Sequence, residues 1–208
     1  MKILVIGAAG KTGAAVVDQA VAAGHTVTAF VHNAETYVRH DVQVAQGDAL
    51  NPAEVTAALT GQEAVIDTLG GKTPYKESTL ETDAARILIA AMQQANVRRL
   101  LVVSALGEGQ SKANTSFVYE HLLMPTFLRG VLKDKAGMES EVTASNLDWT
   151  IVRAALLTDD EPTGSVRTYD ADDGDVAHKI TRSDLATFLV NELPRDTFSH
   201  KSVTVANV

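Results

Sequence analysis

The sequence contains no cysteine among its 208 residues. Disulfide bridges, thiolate metal ligands and cysteine nucleophiles are therefore excluded. No apolar run approaches the roughly 20 residues that a membrane-spanning helix needs, and Lys11 interrupts the opening run in a way that signal peptides do not. Lysines and arginines form no cluster and the net charge is −8, which argues against a nucleic-acid partner. We expect a cytoplasmic protein that acts on a small molecule.

A metal site is not expected either. The six histidines show no ligand spacing to one another or to carboxylates. The acidic stretch DADDGDV at 170–176 superficially resembles a calcium loop, but it lacks the terminal glutamate and the flanking helices of such loops. We therefore predict a solvated loop there and no bound metal.

Short β-branched or apolar runs alternate with helical patterns along the chain. Strands are predicted at 2–6, 26–31, 42–45, 64–68, 99–104, 148–153 and 202–206. Helices are predicted at 12–23, from 52, at 79–95, over most of 111–144 with an interruption around Met124 and Pro125, and at 181–193. This alternation predicts an α/β fold of the Rossmann type, with a doubly wound, mostly parallel sheet flanked by helices. The length suits a single domain over 1–208, as a monomer or homodimer.

Three glycines follow the first predicted strand in the stretch IGAAGKTG at 6–13. They are spaced three residues apart, a variant of the dinucleotide-binding fingerprint. Such glycines let backbone N–H groups approach a pyrophosphate, which the N-terminus of the next helix also attracts. A plain strand-to-helix turn favours glycine too, but the position at the head of a βαβ unit favours nucleotide binding. The residues assigned to the cofactor in this loop are Gly7, Ala9, Gly10, Lys11, Thr12 and Gly13.

The end of the second predicted strand bears on the choice between NADH and NADPH. NAD-specific folds usually place Asp or Glu about 20 residues past the glycines, where it binds the ribose 2′-hydroxyl. Here His32 and Asn33 occupy these positions, so no carboxylate repels a 2′-phosphate. Lys11 and Arg39 offer positive charge, unless they are ordinary solvated cations, and His32 offers a donor. We therefore expect a modest preference for NADPH over NADH.

Six stretches, distributed over nearly the whole length of the chain, carry a family resemblance. They are IGAAGKTG at 6–13, GDALNP at 47–52, DTLGG at 67–71, RRLLVVSALG at 98–107, DKAGMESEVTASNLDWTIVR at 134–153 and ITRSDLATFL at 180–189. Together they resemble the NAD(P)-binding, atypical short-chain dehydrogenase family, related to NmrA-like proteins and biliverdin-IXβ/flavin reductases. The resemblance implies a Rossmann fold, a nicotinamide cofactor and oxidoreductase chemistry.

The resemblance also implies roles for residues at the ends of strands. Two positions would lie beside the adenine, three in DTLGG beside the nicotinamide ribose, and one serine would face the nicotinamide. These positions are Asp48, Ala49, Leu69, Gly70, Gly71 and Ser104. Strand ends at a switch point are where open α/β sheets bind ligands. The structural alternatives are a turn at Asp48 and a strand-end cap at Ser104.

The Tyr-x-x-x-Lys motif of short-chain dehydrogenases is incomplete in this sequence. Lys135 matches the lysine, but Val131 stands at the tyrosine position and Tyr119 lies twelve residues upstream of it. In the motif, the lysine lowers the pKa of the tyrosine that exchanges a proton with the substrate. Chemistry through that tyrosine is therefore not expected. We assign Lys135 to positioning the ribose or an acceptor anion, and expect Glu139 to pair with it one helical turn later.

Hydride transfer to a planar acceptor asks little of a side-chain acid, because the nicotinamide carries the chemistry. We therefore expect an NAD(P)H-dependent reductase of a flavin such as FMN, a biliverdin-like tetrapyrrole or a quinone, with Ser104 and Lys135 in the site. The acceptor portion is placed at about 111–130 and 154–180, where the apolar segment 116–129 would form a wall, or else a core-packing or dimer-forming helix. The alternatives are a non-catalytic NADP(H)-binding redox sensor and an NAD-dependent sugar-nucleotide epimerase.

Overall fold

The computed structural model describes residues 1–71, 75–117, 119–126 and 128–208. Within them, the main sheet contains eight strands and a second sheet contains two. The strands are β1 (Lys2–Ile6), β2 (Thr26–Val31), β3 (Gln43–Gln46), β4 (Ala64–Asp67), β5 (Arg99–Ala105), β6 (Asp148–Ala154), β7 (Leu156–Thr158), β8 (Val166–Tyr169), β9 (Lys179–Thr181) and β10 (Lys201–Asn207). The α-helices are α1 (Lys11–Ala22), α2 (Pro52–Ala58), α3 (Leu80–Ala95), α4 (Arg129–Thr143) and α5 (Arg182–Glu192). No helix in these ranges is long and apolar enough to cross a bilayer.

The main sheet has the strand order β3-β2-β1-β4-β5-β6-β10-β8. Its neighbours pair in parallel, except that β8 runs antiparallel to β10. The chain reverses the direction in which it adds strands between β1 and β4. A crevice therefore opens at the carboxyl ends of these two strands, where such sheets bind ligands. The predicted doubly wound, mostly parallel α/β fold is confirmed.

Alternate residues of β1 enter two separate hydrophobic cores. Ile3 and Val5 pack with residues of α1 and α5, whereas Leu4 and Ile6 pack with residues of α2, α3 and α4. All four side chains are at most 3% exposed. A central parallel strand needs apolar residues on both faces because helices cover both. This double burial explains the unbroken run ILVI and holds the glycine loop that follows it.

The segment between β5 and α4 departs from the long helix predicted over 111–144. It contains a 3-10 turn at Gly109–Asn114 and a π-helical turn at Tyr119–Leu123. Gly107 has a φ of +105°, a backbone conformation that favours glycine and does not occur inside a helix. Pro125 lacks the backbone N–H that a continuous helix would require. The helix prediction is therefore wrong for the described residues of 111–128, whereas the interruption predicted around Met124 and Pro125 is confirmed by the turn at these residues.

Asn114 joins that 3-10 turn to the acidic segment between β8 and β9. Its side-chain nitrogen donates to the backbone carbonyl oxygens of Asp170 (2.9 Å) and Asp175 (3.1 Å). The backbone carbonyl oxygen of Asn114 accepts from Ala177 N (2.9 Å). The acidic segment holds a short 3-10 helix, Ala171–Asp173, in which no residue is buried. Two segments that are far apart in the chain are thus tied together by one buried side chain.

Candidate cofactor and acceptor site

The backbone of the glycine loop closes on itself after β1. Gly10 N donates to Gly7 O over 2.9 Å, and Gly7 has a φ of +75°, where glycine is favoured. A Cβ atom on Gly13 would lie 2.2 Å from Gly7 O and 2.8 Å from Ala8 Cα. No larger residue fits where α1 packs against the loop. The loop geometry itself therefore requires glycine at two of the three predicted positions.

The N-terminus of α1 is open to an anion. Gly10 is its N-cap residue and provides no side-chain cap, and the first turn contains no acidic residue. In α5, by contrast, Thr181 caps the helix and Asp184 lies in the first turn. Backbone N–H groups of a first helical turn bind anions when no side chain accepts from them. The N–H groups of Lys11 and Thr12 therefore fit the pyrophosphate of a dinucleotide.

Two cations meet one carboxylate beside the glycine loop. Lys11 Nζ lies 2.5 Å from Asp159 Oδ2, and Arg182 Nη1 lies 2.5 Å from Asp159 Oδ1. The hydrogen bond from Lys11 and the charge of Arg182 lower the pKa of the Asp159 carboxyl group. The Lys11 side chain is 73% exposed, so it is accessible to a ligand. Lys11 has three N–H donors, so a phosphate group that binds it competes with Asp159 for the charge of the ammonium group.

Arg39, the second predicted cation, is held by two carboxylates. Its Nη2 lies 2.6 Å from Asp41 Oδ2, and its Nη1 bonds to Asp18. The hydrogen bond to Asp41, with that to Asp18, raises the pKa of Arg39. His32 and Asn33 follow β2 and are exposed to solvent. The structure thus leaves the strand end accessible while the guanidinium is already paired, and the preference for NADPH stays a prediction.

The predicted adenine position lies in a turn after β3. Asp48 Oδ1 accepts from Leu50 N (2.9 Å), and Asp48 N donates to Glu54 Oε2 (2.7 Å). The turn alternative for Asp48 is therefore present in the structure. Asp48 is exposed and Ala49 is half-buried, so both remain accessible to a base.

The predicted ribose position lies in the segment after β4. Leu69 is half-buried, whereas Gly70 and Gly71 are exposed. Among the residues that the structure describes, a Cβ atom on either glycine would meet no heavy atom within 4 Å beyond the chain neighbours of the glycine. Packing within the protein does not require glycine here, so open space remains for a ligand that approaches the backbone closely.

The hydroxyl group of Ser104 donates its proton to another side chain inside the protein. This serine lies in β5, is 2% exposed, and its hydroxyl donates to Glu139 Oε1 over 2.5 Å. Arg153 of β6 binds the same carboxylate through two hydrogen bonds, Nε–Oε1 at 3.0 Å and Nη2–Oε2 at 2.6 Å. The expected pairing of Glu139 with Lys135 is therefore wrong. A bidentate arginine on the neighbouring strand takes the carboxylate instead.

Lys135 forms a second buried ion pair, with α3. Its Nζ donates to Glu81 and to Val103 O, the latter at 3.0 Å. The side chains of Lys135 and Glu81 are 10% and 3% exposed. Asp134 holds the start of α3 in place, because its carboxylate accepts from Glu81 N at 3.1 Å. Ser104 is thus part of β5, and Lys135 contacts β5 from α4. Each donates a hydrogen bond to a different buried carboxylate, Glu139 and Glu81.

Asp67 ends β4 at the switch point of the sheet. It is 5% exposed and accepts a hydrogen bond from Leu69 N at 2.9 Å. Burial raises the pKa of Asp67 to about 6; the Leu69 N–H lowers it, the charge of Glu81 raises it, and Lys135 lowers it. A carboxyl group that titrates near neutral pH therefore lies next to the predicted ribose position.

A cavity of about 420 Å³ opens between the segment after β5 and α4. We call it the acceptor groove. It is lined by the apolar side chains of Met124, Pro125 and Leu132 and by the charged side chains of Glu108, Lys112, Glu120 and Arg129. Phe117 and Leu122, in the same segment, are 76% and 58% exposed. The predicted acceptor wall over 116–129 is thus an open surface in part, with a groove beside it.

Sequence reasoning did not single out Glu81, Glu108 or Asp134, and it gave Arg153 no partner. The position of Glu108 just after β5, and of Arg153 near the end of β6, was an available signal, because ligands bind at strand ends in such sheets. Glu81 gave no such signal. It lies 54 residues before its partner Lys135, in the first turn of a helix where acidic residues are common anyway.

Comparison with known proteins agrees with the fold. The pattern of the NAD(P)H-binding family matches residues 7–196. The yeast protein YMR090W (Saccharomyces cerevisiae), of the UPF0659 group, is 29% identical over 205 residues, which cover 93% of this chain and 87% of that protein.

Two solved structures extend the comparison. ChuY, an anaerobillin reductase from Escherichia coli O157:H7, superposes with a TM-score of 0.81 at 26% identity, covering 100% of this chain and 97% of that one. A short-chain dehydrogenase/reductase from Veillonella parvula, in complex with NADP, gives 0.84 at 18% identity and covers 99% and 94%. The Rossmann-type fold that the resemblance implies is confirmed, and the chain belongs to the NAD(P)H-binding family.

Proposed function

We propose that this protein is an NADPH-dependent reductase that transfers a hydride to a planar acceptor, such as FMN, a biliverdin-like tetrapyrrole or a quinone. The observation that carries the proposal is the acceptor groove. It opens at the carboxyl end of β5, the strand next to the crevice between β1 and β4. A ligand in the groove and a dinucleotide along the crevice would meet at β5.

The residues of the chain would bind and orient the two ligands. The loop from Gly7 to Gly13 and the open N-terminus of α1 would hold the phosphates. When bound, the nicotinamide supplies the hydride. The hydroxyl proton of Ser104 is committed to Glu139, but its oxygen can still accept a hydrogen bond from the cofactor. Lys135 would act by holding β5 and α3 together at the meeting point.

Two further observations favour a planar acceptor over a carbonyl substrate. Val131 replaces the tyrosine that would protonate a carbonyl oxygen, and it lies half-buried on α4. ChuY, whose fold covers the whole of this chain, reduces a tetrapyrrole-type substrate according to its name. A flat apolar ring system suits a groove whose uncharged walls are Met124, Pro125 and Leu132.

The test is anaerobic turnover with purified protein. NADPH is mixed with FMN, biliverdin or menadione in separate reactions, and nicotinamide absorbance is followed, with NADH in parallel. We expect oxidation above the protein-free rate with at least one acceptor, faster with NADPH than with NADH. No oxidation with any acceptor would overturn the proposal.

A second candidate is a non-catalytic NADP(H)-binding redox sensor. One observation favours it: Ser104 and Lys135 both donate to interior carboxylates, so neither is a free catalytic donor. A sensor predicts NADPH binding, measured by nicotinamide fluorescence, without turnover of any acceptor. Binding and turnover measured on the same preparation separate the two candidates.

A further inference from the structure

Glu108 occupies an unusual place at the end of β5. It lines the acceptor groove and is half-buried, and the turn that carries it is fixed by Ser111. The Ser111 hydroxyl donates to Glu108 O at 2.6 Å and accepts from Gly107 N at 2.9 Å. The backbone of Glu108 is therefore held in place while its side chain faces the groove.

The carboxyl group of Glu108 is not used by the fold. Among residues 1–71, 75–117, 119–126 and 128–208, no group donates a hydrogen bond to it and no cation lies within ion-pair distance. The neighbouring donors are committed elsewhere. The Tyr119 hydroxyl donates to Leu106 O at 3.0 Å, and the Ser104 hydroxyl donates to Glu139. Glu120 also lines the groove, but its side chain is 48% exposed and lies 4.0 Å from His121 Nδ1. Within the described chain, Glu108 is thus the half-buried acid left available at the groove.

The charged and titratable groups around Glu108 come from each element packed against it. They are Lys112 of the 3-10 turn, Tyr119 and Glu120 of the π-helical turn, Arg129, Lys135 and Glu139 of α4, and Arg153 of β6. Burial raises the pKa of Glu108 and the charge of Glu139 raises it further, against the opposing charges of Lys112, Arg153 and Lys135. Glu108 therefore keeps its proton to a higher pH than a solvated glutamate does.

We propose that Glu108 donates the proton that completes reduction of an acceptor bound in the acceptor groove. The inference rests on the proposed reductase function and names the acid that this function requires. It also limits the substrate class to acceptors with a nitrogen or oxygen atom that is protonated on reduction, as in a flavin, a tetrapyrrole or a quinone.

The step balances with one hydride and one proton. The acceptor gains a hydride, with its two electrons, from the nicotinamide, which is oxidised. A bond forms between an acceptor nitrogen or oxygen and the proton, and the O–H bond of Glu108 breaks. The resulting carboxylate regains a proton from water through the open groove. No further oxidant or reductant takes part.

The test is the pH dependence of turnover by the full-length protein with NADPH and the acceptor that reacts fastest among FMN, biliverdin and menadione. In the wild-type protein, kcat is expected to fall as pH rises through the pKa of Glu108, because the donating form is lost. In Glu108→Gln, kcat is expected to fall about 100-fold at pH 6, the lower end of the usual effect of a general acid. The alkaline fall in kcat should disappear in this variant.

Two variants separate proton donation from a structural role. Glu108→Asp keeps the acid one methylene shorter and is expected to retain the alkaline fall in kcat with an intermediate rate. Glu141→Gln, on the side of α4 that meets α3, where Glu141 pairs with Arg86, is the matched control and should behave as wild type. Thermal unfolding of each variant checks the fold, and if Glu108→Gln does not fold, the pH profile of Glu108→Asp decides.

The outcomes distinguish this inference from the function on which it rests. Turnover by Glu108→Gln at the wild-type rate with the same pH profile would overturn the proton-donor role and leave the reductase proposal intact. Failure of the wild-type protein to oxidise NADPH with all three acceptors would overturn both.

Discussion

The cofactor end and the acceptor end of the candidate site are built in opposite ways. At the glycine loop, the binding groups are backbone N–H groups on a short stretch of chain, and the nearby cation Lys11 is exposed. At the end of β5, the polar groups are side chains from four elements, buried and paired with one another. The first region is ready to meet a charged ligand, whereas the second holds its charges inside the protein.

This difference has a physical cause. A phosphate that leaves water needs many hydrogen-bond donors to replace its hydration. The N-terminus of a helix supplies these donors without burying a charged side chain of the protein. Buried charges such as Lys135 and Glu81 stabilise the protein only as a pair, since removal of one leaves the other unpaired in the interior. The acceptor end is therefore rigid but intolerant of single changes. The following predictions test that contrast.

The largest effect is expected from Lys135→Met. This change leaves Glu81 buried without its partner, so the free energy of unfolding should fall by about 3–5 kcal/mol in urea titrations. Adding Glu81→Gln should recover at least half of the loss. Lys133→Met, which removes an exposed cation two residues away, should have no measurable effect. Equal stability of Lys135→Met and wild type would show that the buried pair does not hold the acceptor end.

The second prediction concerns the pH dependence of stability. The pKa of Asp67 is about 6 in the folded protein and about 4 when unfolded, so the ionised carboxylate costs stability. That cost is absent below pH 4, grows as pH rises from 4 to 6 and is then constant. Asp67→Asn should therefore gain stability relative to wild type across this window, by about 3 kcal/mol. A difference that does not vary between pH 4 and 7 would contradict the raised pKa.

At the cofactor end, Gly13→Ala is expected to affect both folding and binding. Its Cβ would lie 2.2 Å from Gly7 O, and overpacking of this kind costs about 2 kcal/mol. The affinity for NADPH should fall at least roughly tenfold because the loop must move. In the matched change Gly70→Ala, the Cβ atom lies within 4 Å of no described residue beyond its chain neighbours, so the change should lower NADPH affinity without changing the unfolding midpoint. Unchanged binding by both variants would place the cofactor elsewhere.

The smallest effect is expected from Asp159→Asn. This change frees Lys11 from its carboxylate, and the affinity for NADPH should rise about threefold at low salt, while NADH affinity changes less. Isothermal titration with both nucleotides at two salt concentrations measures this. An equal gain for both nucleotides would assign Lys11 to the shared pyrophosphate rather than to the 2′-phosphate.

The contrast between the two ends also explains what could be predicted from the sequence. Strands β1 and β2 and the glycine loop follow from local patterns, because period and turn chemistry depend on neighbours in the chain. The pairs Lys135–Glu81 and Glu139–Arg153 join different elements, and no local rule selects Arg153 over Lys135 as the partner of Glu139. The four-residue spacing from Lys135 therefore did not decide the partner of Glu139. The bidentate hydrogen bonds of Arg153 on β6 did.

The sequence predicted the interruption around Met124 and Pro125 but not the irregular backbone before it. The apolar residues there have helical spacing, yet Gly107, just upstream, has a φ of +105° and Pro125 lacks the backbone N–H that a helix needs. The hydrogen bond from the Tyr119 hydroxyl to Leu106 O then fixes a turn that the sequence periodicity does not predict.

The three hydrogen bonds of Asn114 make one wall of the acceptor groove kinetically dependent on a distant segment. The 3-10 turn before Thr115 cannot swing outward without releasing the chain at Asp170, Asp175 and Ala177. Segments joined in this way open as one cooperative unit and exchange their amide hydrogens together. Admission of a large ring system and release of its reduced product would then share a single gating rate, set by a loop that contacts neither.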